Sequence, residues 1–154
     1  MDKGSALSLW NEYVITRERS EKLRYQLFSE HLDALPQLVR ESLSDPHHLM
    51  FSLEIGAELP LENRKELLAD FLAVASYGGG HVVRAREIIR AFPSDWLLEN
   101  IESAAAPLLE HGGAEEYRRL LELYVQVARQ LALRLVERAS THEDPEVRDV
   151  VLDI

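Results

Sequence analysis

Chain breakers recur along this sequence at a nearly fixed interval, and that interval constrains the fold more than any other feature. Asp45, Gly79, Gly112 and Asp144 stand 34, 33 and 32 residues apart. Each leads into a similar stretch: Asp45-Pro-His-His-Leu-Met-Phe, Gly79-Gly-His-Val-Val-Arg, Gly113-Ala-Glu-Glu-Tyr-Arg and Asp144-Pro-Glu-Val-Arg. An Asp-Pro pair starts a helix well, because Asp caps orphan N–H groups and Pro occupies a first position that needs no donor. Glycine runs supply the left-handed turn that stops a helix. Further breaks at Leu59-Pro60 and Phe92-Pro93 divide the intervals again. The result is helices of roughly 11 to 17 residues, with one longer segment from Ala114 to Ser140.

The residues between the breaks are spaced for helices throughout. Leu7, Trp10 and Val14 share a face, as do Leu27, His31, Leu35 and Leu38, and as do Leu67, Leu68, Phe71, Leu72 and Ala75. The longest stripe runs Leu120, Leu121, Tyr124, Val127, Ala128, Leu131 and Leu135. Sustained alternation and Asn-Gly or Asp-Gly hairpin turns are missing, so the expected class is all-α. Two apolar columns follow the repeat: Leu49, Val83, Tyr117 and Val147, then Leu53, Ile88, Leu121 and Val151. Such a period implies helical hairpins that cannot bury their faces alone and stack on their neighbours.

The run Asp144-Pro145-Glu146-Val147-Arg148-Asp149-Val150-Val151 resembles the second helix of a HEAT repeat, an armadillo-type unit; Val83-Arg84 and Tyr117-Arg118 are weaker copies. The resemblance covers Leu32 to Ile154 and implies a short right-handed α-solenoid of about four hairpins. Residues 1–31 then form an N-terminal capping helix or helices, with Thr16–Lys22 as a polar joint, and residues 32–154 form the repeat region of a single domain. A generic helical bundle is the alternative. Arg84, Arg118 and Arg148 are expected to pair with acidic groups of neighbouring turns.

The resemblance also implies that the second helices line a binding face. Residues on them but off the apolar columns are the expected partner contacts: His48 and Ser52, Arg86 and Arg90, Arg119 and Glu122. The C-terminal stripe Val147, Val150, Val151 and Ile154 is a candidate for self-association, or else packs onto the preceding helix. The expected function is a non-enzymatic protein-binding scaffold or adaptor. The alternatives are an acidic immunity or inhibitor protein for a basic target, and a lyase or other enzyme subunit, since HEAT-like repeats also occur in pigment-handling proteins and in glycosylases of the AlkD type.

Charge and composition narrow the partners. The formal charge is -10, from 27 acidic and 17 basic residues, which favours a basic protein partner and opposes clamping nucleic acid or docking on anionic membrane. The absence of cysteine removes disulfides and thiolate zinc sites. Met1–Ser5 leads into no apolar run of signal-peptide length, and no segment approaches the roughly 20 apolar residues of a membrane span. A cytoplasmic protein is expected.

Catalytic and metal chemistry find no foothold. His47, His48, His81, His111 and His142 decorate the repeat turns, but no pair has the i, i+4 spacing of a zinc-binding helix. Gly78-Gly79-Gly80 precedes a helix but lacks the Lys-Ser/Thr of a phosphate loop. Glu99 with Glu102 and Glu115 with Glu116 suit helix ends and ion pairs. No catalytic residue, metal ligand or cofactor is expected. Trp10, Tyr13, Tyr25, Phe28 and Trp96 are expected mainly in the core, with one or two left to anchor an interface.

Overall fold

The computed structural model describes residues 3–77 and 79–153; Gly78 of the glycine turn and Ile154 of the C-terminal stripe lie outside them. All regular elements among the described residues are helical. The chain divides into two compact units, Met1–Leu38 and Val39–Ile154.

The first unit is dominated by α1, an unbroken helix over Lys3–Glu30. The polar run Thr16–Lys22 is therefore no joint. Arg, Glu and Lys are strong helix formers, and the run has no Gly or Pro to stop propagation. A 3-10 turn, Leu32–Ala34, leads into α2, Leu35–Leu43, which crosses the division.

From Val39 onward the helices follow in close order. They are α3 (Leu49–Glu58), α4 (Leu61–Lys65), α5 (Leu68–Ser76), α6 (Val82–Arg90) and α7 (Ser94–His111). Then come α8 (Ala114–Val127), α9 (Arg129–Ser140) and α10 (Pro145–Asp149), which ends in a 3-10 turn over Val150–Asp153. The four repeat breaks stand before α3, α6, α8 and α10. At Asp144 the expected cap is present: its Oδ1 accepts from the Glu146 N–H at 2.9 Å, with Pro145 at the first position. At Asp45 the carboxylate instead accepts from the His47 N–H at 2.9 Å and holds a turn, and α3 begins only at Leu49.

α5 is the hub of this unit and packs against α6, α7 and α8. Its Leu72 and Phe71 are fully buried, and Phe71 lies where a methyl on Gly56 of α3 would come within 3.0 Å of its ring. α8 packs on α9, and α10 on both. The arrangement is an all-α packing of helices, coarsely a bundle or solenoid-like fold. Gly112 is required between α7 and α8, because a Cβ there would collide with the Leu108 carbonyl and with Glu116.

Three expectations need correction. The segment from Ala114 to Ser140 is two helices: Ala128, at φ -164 and ψ 135, ends α8 and starts α9. No Gly or Pro marks the site, and the stripe runs through it in phase, but folding α9 back on α8 buries Leu131, Ala132 and Leu135. The first apolar column is out of register at α6: Val82 is buried and Val83 is 65% exposed. Among the aromatics, Trp10, Tyr13 and Tyr25 are exposed rather than core, while Trp96 is half-buried and stacks on Phe92 with centroids 5.1 Å apart.

Tyr124 of α8 is 1% exposed, and its hydroxyl has no hydrogen-bond partner among the described residues. Burial, helped by the Glu102 carboxylate, holds its phenol protonated well above the usual tyrosine range. Tyr124→Phe removes an unsatisfied buried oxygen, so chemical denaturation is expected to find the variant as stable as the parent or more stable by about 1 kcal/mol. A loss of stability would show that the hydroxyl has a partner after all.

Candidate partner-binding surface

Two grooves open on the second unit. The larger, about 550 Å³, lies between α2, the start of α3, the end of α5 and the start of α6. Its floor is apolar, built from Leu43, Leu49, Ala73, Val74 and Val82. Small side chains at the end of α5 leave the space, and Gly79, at φ 137, turns the chain around the rim in a conformation that other residues rarely adopt. Arg40 and Asp70 are tied at 3.1 Å at the edge, and Arg40 also donates to the Glu66 carbonyl at 2.8 Å. Tyr77 is 68% exposed at the mouth. Met50 and Phe51, next to Leu49, are more than half exposed, as is Val83, next to Val82.

Charge is distributed unevenly around this groove. Of the residues from Val39 to Tyr77, seven are acidic and three basic. Two of those three cations face elsewhere: Arg64 lies over the Phe92 ring at 5.6 Å, and Lys65 lies over the Trp96 ring of α7 at 5.4 Å. The third, Arg40, is neutralised by Asp70. Of the seven acids only Asp70 lines the groove itself, and on the α6 side Arg84, Arg86 and Arg90 stand against a single Glu87.

The second groove, about 510 Å³, is lined by Arg86 of α6, Arg118, Leu121, Glu122 and Val125 of α8, and Val150 and Asp153 at the C-terminal end. Here the structure brings together three of the expected contacts. Arg86 donates to the Glu122 carboxylate at 2.5 Å and to the Arg119 carbonyl at 3.3 Å, while Arg119 lies 3.5 Å from Glu122 and 2.8 Å from Glu115. Burial pushes the Glu122 carboxyl up, but Arg86 and then Arg119 outweigh it and hold the group below its ordinary value. The Arg86 side chain is only 14% exposed. These three residues form a cross-helix tie between α6 and α8.

The other expected contacts are scattered. His48 is exposed, with Nδ1 3.2 Å from Asp45. Ser52 is 4% exposed, and its hydroxyl bonds to the His48 carbonyl at 2.8 Å and to the Ser42 hydroxyl at 2.6 Å, so it works inside the fold. Arg90 is exposed at the end of α6, with no ion pair among the described residues. Val147 and Val150 are buried, Val151 is half-buried, and Leu152 is 80% exposed. The C-terminal stripe is thus largely consumed by packing on α8 and α9.

The repeated arginines differ from the expectation in detail. Arg84 pairs with Glu87 of its own helix, and Arg118 pairs with Glu115 and with Asp153 across the groove. Arg148 donates to the His142 and Glu143 carbonyls at 2.6 and 2.9 Å, closing its own turn. His142 belongs to the same turn: Nδ1 accepts from the Asp144 N–H at 3.0 Å, and the ring meets Tyr117 edge-on at 5.3 Å. Among the described residues no cluster of three His, Asp or Glu could hold a metal ion, and no helix is long and apolar enough to cross a membrane.

A second carboxylate is held ionised between α7 and α9. Arg134 of α9 grips Glu102 of α7 through Nε at 3.0 Å and a terminal nitrogen at 2.6 Å, and this outweighs burial to lower the Glu102 pKa. Both Glu102 and Glu122 titrate at lower pH in the fold than the ordinary 4.5 of the unfolded chain. Their stabilisation is therefore complete above that value and lost as pH falls through the folded values. Urea midpoints are expected to hold steady from neutral pH to about 5 and fall below it, with a shallower fall in a Glu102→Gln, Glu122→Gln variant. An equally steep fall in that variant would assign the acid sensitivity to other groups.

The larger groove was not legible in the sequence, because Ala73, Val74 and Tyr77 sit on ordinary helical positions. The one available signal was the pair of apolar residues at the start of α3 and of α6, twice the number that one buried position needs. No family model, curated protein or solved structure matches this chain.

Proposed function

We propose that this chain is a non-enzymatic scaffold of stacked HEAT-like hairpins that holds a basic, apolar segment of a partner protein. In this reading α3, α6, α8 and α10 are the second helices of the units, and α5, α7 and α9 are first helices. Support comes from the packing of α5 on both α6 and α7, from the Arg86–Glu122 tie between α6 and α8, and from the Arg134–Glu102 tie between α7 and α9.

The observation that carries the binding role is the larger groove, with its apolar floor and the Arg40–Asp70 pair at its edge. Its size falls in the range of about 300–1,000 Å³ typical of ligand sites, but its mouth is open and edged by exposed Tyr77, which suits side chains on a longer segment. Leucine or phenylalanine side chains would fill the floor, and Lys or Arg on the same segment would be favoured by the formal charge of -10 on the chain. The expected contacts are then His48, Arg90 and the groove residues, with Arg86, Arg119 and Glu122 holding the stack.

A fluorescent amphipathic Lys/Leu peptide tests this against a Glu/Leu peptide of equal length. Anisotropy is expected to show tighter binding of the Lys/Leu probe, weakening at high salt, and loss of binding in Ala73→Arg and in Tyr77→Ala. Equal binding of both probes, unchanged by either substitution, would remove the groove as the site. The inhibitor reading rests on the same acidic charge and requires an interaction dominated by it; binding that vanishes at moderate salt while surviving Tyr77→Ala would favour it.

A further inference from the structure

The 28 residues of α1 include no buried side chain. Yet Leu7, Leu9, Trp10, Tyr13, Ile15, Leu23 and Tyr25 are each more than half exposed there. A lone surface helix with that much apolar area is poorly supported in water, because isolated helices depend on packing one face. Three of these, Leu9, Tyr13 and Leu23, share a heptad-spaced seam, with alternating steps of three and four, with Ala6, Thr16, Ser20 and half-buried Leu27.

We infer that α1 is a self-association helix that pairs antiparallel with α1 of a second copy about a two-fold axis near Glu18. The seam is self-complementary in that direction. Leu9 meets the other copy's Leu27, Tyr13 meets its Leu23, and Thr16 meets its Ser20, so large layers flank a small central one. Glu30, which continues the same pattern, falls opposite Ala6. A parallel pair would instead set Glu30 against Glu30 in the seam, two like charges in contact, which is costly. Leu9, Tyr13 and Leu23 of the seam and Trp10 beside it are all more than half exposed, roughly 500 Å² per copy, so covering them fully in a pair removes up to about 1,000 Å², where stable interfaces begin. The other candidate for pairing, the C-terminal stripe, already spends Val147 and Val150 inside the fold.

The axis also brings Arg17 and Arg19 near their own copies. Arg17 has Glu21 one turn along its own helix to offset it, but Arg19 has only Leu23 there. The dimer is therefore expected to tighten as salt rises, opposite to the salt dependence of the groove. This separates the two readings experimentally.

The full chain has no cysteine, which makes crosslinking clean. Light scattering is expected to give about twice the 17.6 kDa chain mass, and a Leu9→Lys, Leu23→Lys variant is expected to be monomeric while circular dichroism keeps its helical signal. In oxidising mixtures, a Thr16→Cys chain is expected to crosslink to a Ser20→Cys chain faster than either crosslinks to itself. A wild-type monomer up to the solubility limit overturns the proposal. So does a dimer that survives the double lysine variant, or self-crosslinking that outruns the mixed product.

Discussion

Replacing Phe71 by alanine is expected to cost about 3–5 kcal/mol, the range for truncating a fully buried aromatic. Phe71 is 0% exposed on α5, the helix that packs against α6, α7 and α8. Its ring lies against Gly56 of α3, and Val39 of α2 lies just beyond, 3.5 Å from where a Gly56 methyl would sit. A hole at Phe71 would therefore open where α2, α3 and α5 come together. Gly56→Ala tests the same contact from the other side. Its methyl would press on the ring at 3.0 Å, and overpacking of this kind costs about 1–3 kcal/mol. In a Gly56→Ala, Phe71→Leu double variant the smaller side chain yields the space, so the combined loss is expected to be less than the sum. Urea unfolding of the four proteins measures both terms. Strict additivity would mean that α3 and α5 do not share this contact.

The second large effect concerns Glu122. Its substitution by alanine is expected to cost about 2 kcal/mol, below the roughly 3–5 kcal/mol typical of a broken buried pair. The reduction reflects solvent at Glu122, whose side chain is 41% exposed. The cost arises at Arg86, which is mostly enclosed and whose Nε already has no acceptor among the described residues. Without Glu122, the guanidinium keeps only the Arg119 carbonyl at 3.3 Å. Arg86→Met together with Glu122→Leu removes the charge and the need for it, so much of the lost stability is expected to return. Thermal melts of the two single variants and the double variant make the comparison. A double variant as unstable as Glu122→Ala would show that α6 and α8 depend on the ion pair itself rather than on avoiding an orphaned charge.

Several parts of this picture were legible in the residues alone. The helical spacing and the absence of strand signals gave an all-α chain, and the breaks at Asp45, Gly79, Gly112 and Asp144 stand before α3, α6, α8 and α10. These features are local: a cap, a proline ring or a glycine turn acts within a few residues of where it stands. The positions of contacts were less legible. Ser52 and Arg90 lie on the helices that follow the breaks at Asp45 and Gly79, yet one is buried and the other exposed. Spacing places both on a helix but does not say how far the neighbouring helix rotates to cover each.

By itself, then, the sequence determined where helices begin and that their apolar faces must be covered. Tertiary structure decided what covers them. At Ala128 the apolar stripe continues in phase, and only the gain from laying α9 on α8 breaks the helix. At Val82 and Val83 two equivalent side chains compete for one buried place, and the angle of α6 against α5 chooses the first. In α1 the polar stretch read as a joint stays helical, because it holds no Gly or Pro to stop the helix. Hydrogen bonds and caps are satisfied within a few residues, whereas burial depends on the whole stack, so local signals survive in the sequence while the choice between equal apolar positions does not.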